Sequence, residues 1–267
     1  MEVRTMDLKI AGKNALVVAS SQGLGKAIAQ KLVEEGANVM ITGRDASKLK
    51  KVADELMNLN KEGKVSYCEV DITKPDQIKH MVNMMIEEFG TIDILLNNAG
   101  GPPAGSFMEL SDEDWQNSFE LNLLSYVRII REAYPHLKEQ GGRILNMASV
   151  SVKEPIQGLL LSNTFRLGIV GLTKTLANEF AADQILINTI APGVISTDRI
   201  TYLDEKTAER QGISVETVKE YSLKQIPLGR YGEPEEFANY AVFLLSSLNT
   251  YVTGQVLLVD GGKVKGI

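Results

Sequence analysis

A chain of 267 residues with 44% hydrophobic and 23% charged residues has an ordinary globular composition, with length for one large or two small domains. Its formal net charge of −6 argues against a general binder of nucleic-acid backbones, and its single cysteine, Cys68, forms no internal disulfide, which suits a reducing compartment. Glu2, Arg4, Asp7 and Lys9 interrupt any apolar signal segment, and no run approaches the roughly 18 apolar residues of a membrane span, so a cytoplasmic chain without membrane or nucleic-acid partners is expected.

In chain order, short apolar runs predict strands at 15–19, 39–42, 65–70, 92–96, 143–147, 186–190 and 256–259. Between them, amphipathic patterns predict helices at 24–35, 46–60, 75–89, 112–138, 157–182 and 234–245. The strands read as continuous Val/Ile/Leu runs, which is the pattern of parallel strands buried on both faces. Strand–helix alternation implies right-handed βαβ units with helices on both faces of one sheet. No linker, charge block or repeat divides the chain, so residues 1–267 are read as one domain. The rhythm breaks only at about 197–228, a polar, mainly helical insertion. In a doubly wound sheet that place lies above the carboxyl ends of the strands, where ligands bind, so the insertion is read as a substrate lid.

The first strand runs into Ser20-Ser21-Gln22-Gly23-Leu24-Gly25 and then a helix. Glycines there let the backbone approach a pyrophosphate, which helix-terminal N–H groups favour. About 20 residues later, a sheet that binds NAD commonly carries an Asp or Glu for the ribose 2′-OH. Gly43 and Arg44 stand there instead. Losing the carboxylate removes repulsion of a 2′-phosphate, and a guanidinium can hydrogen-bond one, so NADP(H) is favoured over NAD(H). Two plainer readings stay open: Arg44 as a solvated turn residue, and Asp45 as its surface ion-pair partner.

Further motifs follow in order. Asp71-Ile72 trails the third strand, and Asn97-Asn98-Ala99-Gly100 ends the fourth. Asn122 lies mid-helix, Ser149 follows the fifth strand, and the sixth ends in a stretch from Asn188 through Ala191-Pro192-Gly193-Val194-Ile195 to Thr197. Pro227 to Pro234 and Thr253-Gly254-Gln255 to Asp260-Gly261-Gly262 complete the series. Over residues 8–262 this order and spacing resembles the short-chain dehydrogenase/reductase family, and within it the 3-oxoacyl-[acyl-carrier-protein] reductases. The resemblance implies a Rossmann-type sheet of seven parallel strands in the order 3-2-1-4-5-6-7 and a homotetramer or homodimer. It implies a small carbonyl or alcohol substrate, an acyl-thioester among the options. Cofactor contacts are implied for Ser20, Ser21, Gln22, Gly23, Leu24, Gly25, Arg44, Asp71, Ile72, Asn98, Ala99, Gly100, Pro192, Gly193, Ile195 and Thr197. The family's glycine motif is Thr-Gly-x-x-x-Gly-x-Gly, and its first glycine is read here as Ser20.

The same resemblance exposes a departure. In the family a serine is followed 13 residues on by Tyr-x-x-x-Lys. The Tyr donates a proton to the substrate oxygen, the Lys lowers its pKa and holds the nicotinamide ribose, the Ser positions the carbonyl, and an Asn anchors a water relay. Asn122 and Ser149 match, but Ser162 replaces the Tyr and Arg166 the Lys. Arg166 still has donors for ribose hydroxyls, yet a guanidinium stays charged and relays no proton. A serine hydroxyl is a far weaker acid than a phenol, which titrates near 10. Lys153 is a candidate substitute in the loop expected to line the pocket, beside Tyr202 and Tyr221 in the insertion and Tyr126 on the helix of Asn122. For each, the plainer reading of solvated charge or packing ring weighs more. His80 and His136 are read as surface residues, and no ligand spacing suggests a metal. The leading reading is an NADP(H)-dependent oxidoreductase with an atypical proton-donor site. Two others stay open: a catalytically silent dinucleotide-binding protein, and a redox-neutral enzyme on the same fold.

Overall fold

The computed structural model describes residues 7–59 and 62–266; Glu2, Arg4 and the expected helix end at Asn60 lie outside them. Seven parallel strands form one sheet in the order β3-β2-β1-β4-β5-β6-β7, as the resemblance implied. They are β1 (Asn14–Val17), β2 (Asn38–Gly43), β3 (Val65–Glu69), β4 (Ile94–Asn97), β5 (Gly142–Met147), β6 (Ile185–Pro192) and β7 (Val256–Val259). The helices are α1 (Gly23–Glu34), α2 (Ala46–Met57), α3 (Pro75–Phe89), α4 (Asp112–Phe119), α5 (Ser125–Leu137), α6 (Leu160–Glu179), α7 (Asp198–Gln211), α8 (Val215–Lys224) and α9 (Pro234–Leu245).

Successive strand side chains point to opposite faces, and this divides the core in two. Ala15, Val17, Val39, Ile41, Ile94 and Leu96 meet the apolar sides of α1, α2 and α9. Their neighbours Leu16, Met40, Leu95 and Ile144 meet α3, α5 and α6 on the other face. Each fully buried Leu or Ile contributes about 1.5–3 kcal/mol, so continuous apolar strands are what a sheet covered on both sides requires. One polar seam crosses this core. Asn97 Nδ2 donates to Asn146 Oδ1 (2.9 Å), Asn146 Nδ2 to Thr173 Oγ1 (2.9 Å), and Thr173 and Thr189 share a hydrogen bond of 2.8 Å. The seam fixes α6 against β4, β5 and β6, and α6 carries Ser162 and Arg166.

Three expected elements change shape. The helix expected over 112–138 is not continuous: a π-helical turn at Glu120–Leu124 separates α4 from α5. Such turns hold an extra residue and swing a side chain out of the regular pattern, here at Asn122. The helix expected from 157 begins at Leu160, because Gly158 has a φ of +76° that no helix accommodates. Asn163 closes that entry, exchanging hydrogen bonds with the Ile156 N–H (3.2 Å) and carbonyl (3.0 Å). The first strand stops at Val17, not at residue 19, where the chain has already turned. The insertion is two helices, α7 and α8, and among the described residues no helix is long and apolar enough to cross a membrane.

Candidate active site

The turn after β1 corrects the reading of the glycine motif. Ala19 has a φ of +50°, the left-handed conformation that glycine adopts freely. Ala19, and not Ser20, therefore occupies the first glycine's place. Ser20 is buried and faces inward: its hydroxyl donates to the Val17 carbonyl (2.6 Å) and accepts from the Thr42 N–H (3.0 Å), tying the turn to β2. A left-handed residue with a Cβ costs about 1–2 kcal/mol. Ala19→Gly relieves that strain but gains unfolded-state entropy, so a net stabilisation of about 0.5 kcal/mol is expected, read as a small rise in thermal midpoint.

The remaining glycines make room. A Cβ on Gly25 would stand 2.5 Å from the Ala19 carbonyl oxygen and 2.9 Å from Asn98 Nδ2. That Asn98 amide donates to the same carbonyl (3.0 Å), locking the turn to the end of β4. Gly23 lies beside Thr197, whose methyl group a Cβ there would meet at 4.0 Å. Gln22 begins α1 without a side-chain cap, which leaves the helix's first N–H groups open to an anion. These features, spread over Ser21 to Gly25 and Leu24, fit a dinucleotide's pyrophosphate.

At the end of β2, Arg44 is exposed, and Asp45 does not pair with it. The Asp45 carboxylate instead caps α2, accepting from the Lys48 N–H (3.0 Å) and the Ser47 hydroxyl (2.7 Å). Those hydrogen bonds hold its carboxyl below the usual range. Lys48, one turn into α2, reaches across to Gln22 Oε1 (2.5 Å). Reading along the sequence missed this second cation; its i+4 spacing from Arg44 was the available signal. A Cβ on Gly43 would stand 3.2 Å from Ser21 Oγ, and Lys48 reaches Gln22, so the turn after β1 lies against the end of β2 and the start of α2, where Arg44 stands in the chain. Burial pushes the Asp71 carboxyl up, but hydrogen bonds from Thr73 and the charges of Lys74 and Arg44 outweigh it and hold it low. Ile72 is buried beside it.

Over the ends of β4 and β5, Asn122 Nδ2 donates to the Gly100 carbonyl (2.7 Å), while its Oδ1 is buried without a protein partner. Arg166 is buried as well. Its Nη1 donates to the Tyr126 hydroxyl (3.0 Å) and the Met147 carbonyl (2.6 Å), and its Nη2 to the Ala99 carbonyl (3.3 Å). Of a guanidinium's five N–H groups, the Nε–H and one on Nη2 remain. Tyr126 is fully buried and also donates to Met147 O (3.0 Å). Burial pushes its phenol up, against the pull of Arg166, so it is a poor acid that does not reach the cavity. Ser149 is half-buried, with its hydroxyl accepting from the Ser151 N–H (3.2 Å). Ser162 is buried one turn before Arg166.

A cavity of about 720 Å³ opens between the loops after β4, β5 and β6 and the two insertion helices. Ser149, Gly193, Leu203 and Tyr221 line it. Gly193 is pressed so close to Asp260 that a Cβ would stand 2.6 Å away. Pro192 and Ile195 hold the turn to Thr197, whose hydroxyl donates to the Ile195 carbonyl (3.2 Å). Lys153 does not join this group: it is exposed and absent from the cavity wall, because a short 3-10 turn at Val150–Val152 carries it outward. Tyr202 packs under Arg199 instead of facing the cavity, and His80 and His136 also lie away from it.

The family model for enoyl-(acyl carrier protein) reductase matches residues 18–263. The chain is 36% identical to the 3-oxoacyl-[acyl-carrier-protein] reductase FabG of Aquifex aeolicus, covering 96% of this chain and 99% of that one. It is 35% identical to a 3alpha-hydroxysteroid dehydrogenase of Mediterraneibacter gnavus, over 96% and 98% of the two chains. Among solved structures, L-sorbose reductase of Gluconobacter frateurii, complexed with NADPH and L-sorbose, superposes with a TM-score of 0.92. It is 32% identical, and the match covers 98% of this chain and 100% of that one. With matches this long and a shared strand order, the chain belongs to the short-chain dehydrogenase/reductase family of oxidoreductases, alongside its FabG-like members.

Proposed function

We propose that this protein is an NADP(H)-dependent reductase of a small carbonyl compound, or the dehydrogenase of the corresponding alcohol, resembling 3-oxoacyl reductases but with a different proton-donor site. One observation carries the reading: Ser149 lines a cavity of about 720 Å³ at the carboxyl ends of β4, β5 and β6, roofed by α7 and α8. In this reading residues 197–228 are the substrate lid of a single domain. The NADPH-bound structure of the related L-sorbose reductase supports the cofactor.

In this reading the Ser21–Gly25 turn binds the pyrophosphate, Arg44 and Lys48 take the 2′-phosphate, and Asp71 and Ile72 lie at the adenine. Asn98, Ala99 and Gly100 bring backbone to the adenosine ribose, and Pro192, Gly193, Ile195 and Thr197 flank the nicotinamide half. When bound, the dinucleotide supplies or accepts a hydride. Arg166 offers one of its two remaining N–H groups to a ribose hydroxyl, Ser149 orients the substrate oxygen, and Asn122 holds a water through its unpartnered Oδ1. With Lys153 outside the cavity and Tyr126 sealed, water brings the proton. The silent-binder reading has one observation in its favour: the three hydrogen bonds of Arg166 all end on the protein.

A fluorescence titration with NADPH, followed by a panel of carbonyl compounds, tests the proposal. Binding with turnover supports it, whereas tight binding without turnover of any compound supports the silent reading. Arg44→Asp removes an attractive charge and adds a repulsive one, and a preference for NADH over NADPH is expected, a shift of roughly 100-fold in relative affinity. Equal binding of the two cofactors by the unaltered protein sinks this assignment. We also propose a cytoplasmic homotetramer or homodimer, supported by Leu167 and Phe119 exposed on α6 and α4. A monomeric mass by light scattering at micromolar concentration counts against it.

A further inference from the structure

Two guanidinium groups converge on the backbone that follows β4, and neither forms an ion pair among the described residues. Arg166 reaches the Ala99 carbonyl from α6. Arg199, in the first turn of α7, donates from Nη2 to the Pro102 carbonyl (2.8 Å). Its guanidinium lies against Gly101, where an added Cβ would stand 2.7 Å from Nη2. Tyr202 stacks on it, with the Arg199 charge 5.3 Å from the ring centroid. Arg199 is half-buried, and the two charges feel each other: burial lowers the Arg199 pKa, Tyr202 raises it, and Arg166 lowers it.

Two like charges held in a partly buried place are unfavourable unless an anion completes the site. The cofactor's own phosphates do not supply that anion in the reading above. The pyrophosphate belongs to the turn after β1, and the 2′-phosphate to Arg44 and Lys48 at the end of β2. The arginines stand beside the segment that follows β4, and Arg166 also touches Met147 at the end of β5, the strand that leads to Ser149. The adjoining cavity repeats the sign. Lys206, Arg210, Lys224 and Lys263 line it against only Asp204 and Glu209, although the chain as a whole carries −6.

We propose that Arg166 and Arg199 form a carboxylate-binding pair, and that the substrate is an oxo acid, or a hydroxy acid in the reverse direction. This rests on the reductase reading above and names its substrate class. A hydride from the reduced nicotinamide adds to the carbonyl carbon and a proton from water to its oxygen. The products are the hydroxy acid and the oxidised dinucleotide, and the carboxylate is unchanged. Guanidinium groups suit it, because they bind both oxygens of a carboxylate in one plane.

The test measures binding by calorimetry to the NADP⁺-saturated protein, with benzoylformate and 2-oxoglutarate against their neutral methyl esters, alongside NADPH affinity. The acids are expected to bind roughly 10- to 100-fold more tightly than the esters. Arg199→Gln is expected to remove about tenfold of that preference, and Arg199→Lys to restore part of it, with NADPH affinity changed less than about twofold. Esters binding as well as acids would overturn the proposal while leaving the reductase reading intact. So would a loss of NADPH affinity in Arg199→Gln with acid preference retained, which would make Arg199 a cofactor clamp. Failure of the unaltered protein to bind NADPH would instead remove the reductase reading itself.

Discussion

Replacing Arg166 with methionine is expected to leave the fold almost as stable while cutting turnover about 100-fold. The two halves of this expectation have separate causes. Arg166 is a buried cation with hydrogen bonds to Tyr126, Met147 and Ala99 but no carboxylate partner. Hydrogen bonds from a charged donor contribute about 1.5–3 kcal/mol each, but burying the unpaired charge costs several kcal/mol. Methionine gives up both terms, and its flexible thioether fills much of the space. The thermal midpoint should therefore move by no more than about 4 °C, the effect of about 1 kcal/mol in a chain of this size. The function has no such compensation, because the remaining N–H groups of Arg166 are lost to the ribose and substrate. A fall of 10 °C or more would show that Arg166 is a structural strut, and the role assigned to it would fail.

The strands, their order and most helices were legible in the chain because burial on both faces leaves a strong mark. Runs such as Ala15-Leu16-Val17 sit fully buried between two helical layers. The positions at Asn122, Ser149, Ser162 and Arg166 were legible because the family's spacing carries them. What stayed hidden depended on local geometry or long-range contact. Counting along the glycine motif put its first member at Ser20, whereas backbone dihedrals put it at Ala19. The π turn at Glu120–Leu124 adds no signal to a helical pattern of apolar residues. Asp45 looked free to neutralise Arg44, but its carboxylate is occupied as a helix cap. Lys153 looked like a pocket residue from its distance along the chain to Ser149, and the turn at Val150–Val152 directs it outward. Arg199 had no motif around it; only the approach of α7 to residues 101 and 102 reveals it.

Ser162→Ala is expected to change turnover by less than about threefold, whereas Ser162→Tyr combined with Arg166→Lys is expected to raise it by roughly 10- to 100-fold. An aliphatic hydroxyl is a far weaker acid than a phenol, so Ser162 has little to lose as a proton donor. The alternatives within the protein are weak, since Tyr126 is fully buried with its pKa raised and Lys153 is exposed away from the cavity. General acid catalysis typically contributes 10²- to 10⁴-fold, and the double variant should recover only part because Ser162 is buried and a phenol there must find room. Lysine in place of Arg166 also matters: it removes a rigid, fixed charge from Tyr126 and provides an amine that can depress a nearby phenol's pKa. Rates with one reducible substrate at saturating NADPH, compared across the unaltered protein and both variants, decide the matter. A loss of more than about tenfold in Ser162→Ala would make Ser162 the donor or its direct positioner, contrary to this account. A double variant that binds NADPH tightly yet gains nothing would mean that proton supply does not limit the rate, and that water already delivers it efficiently.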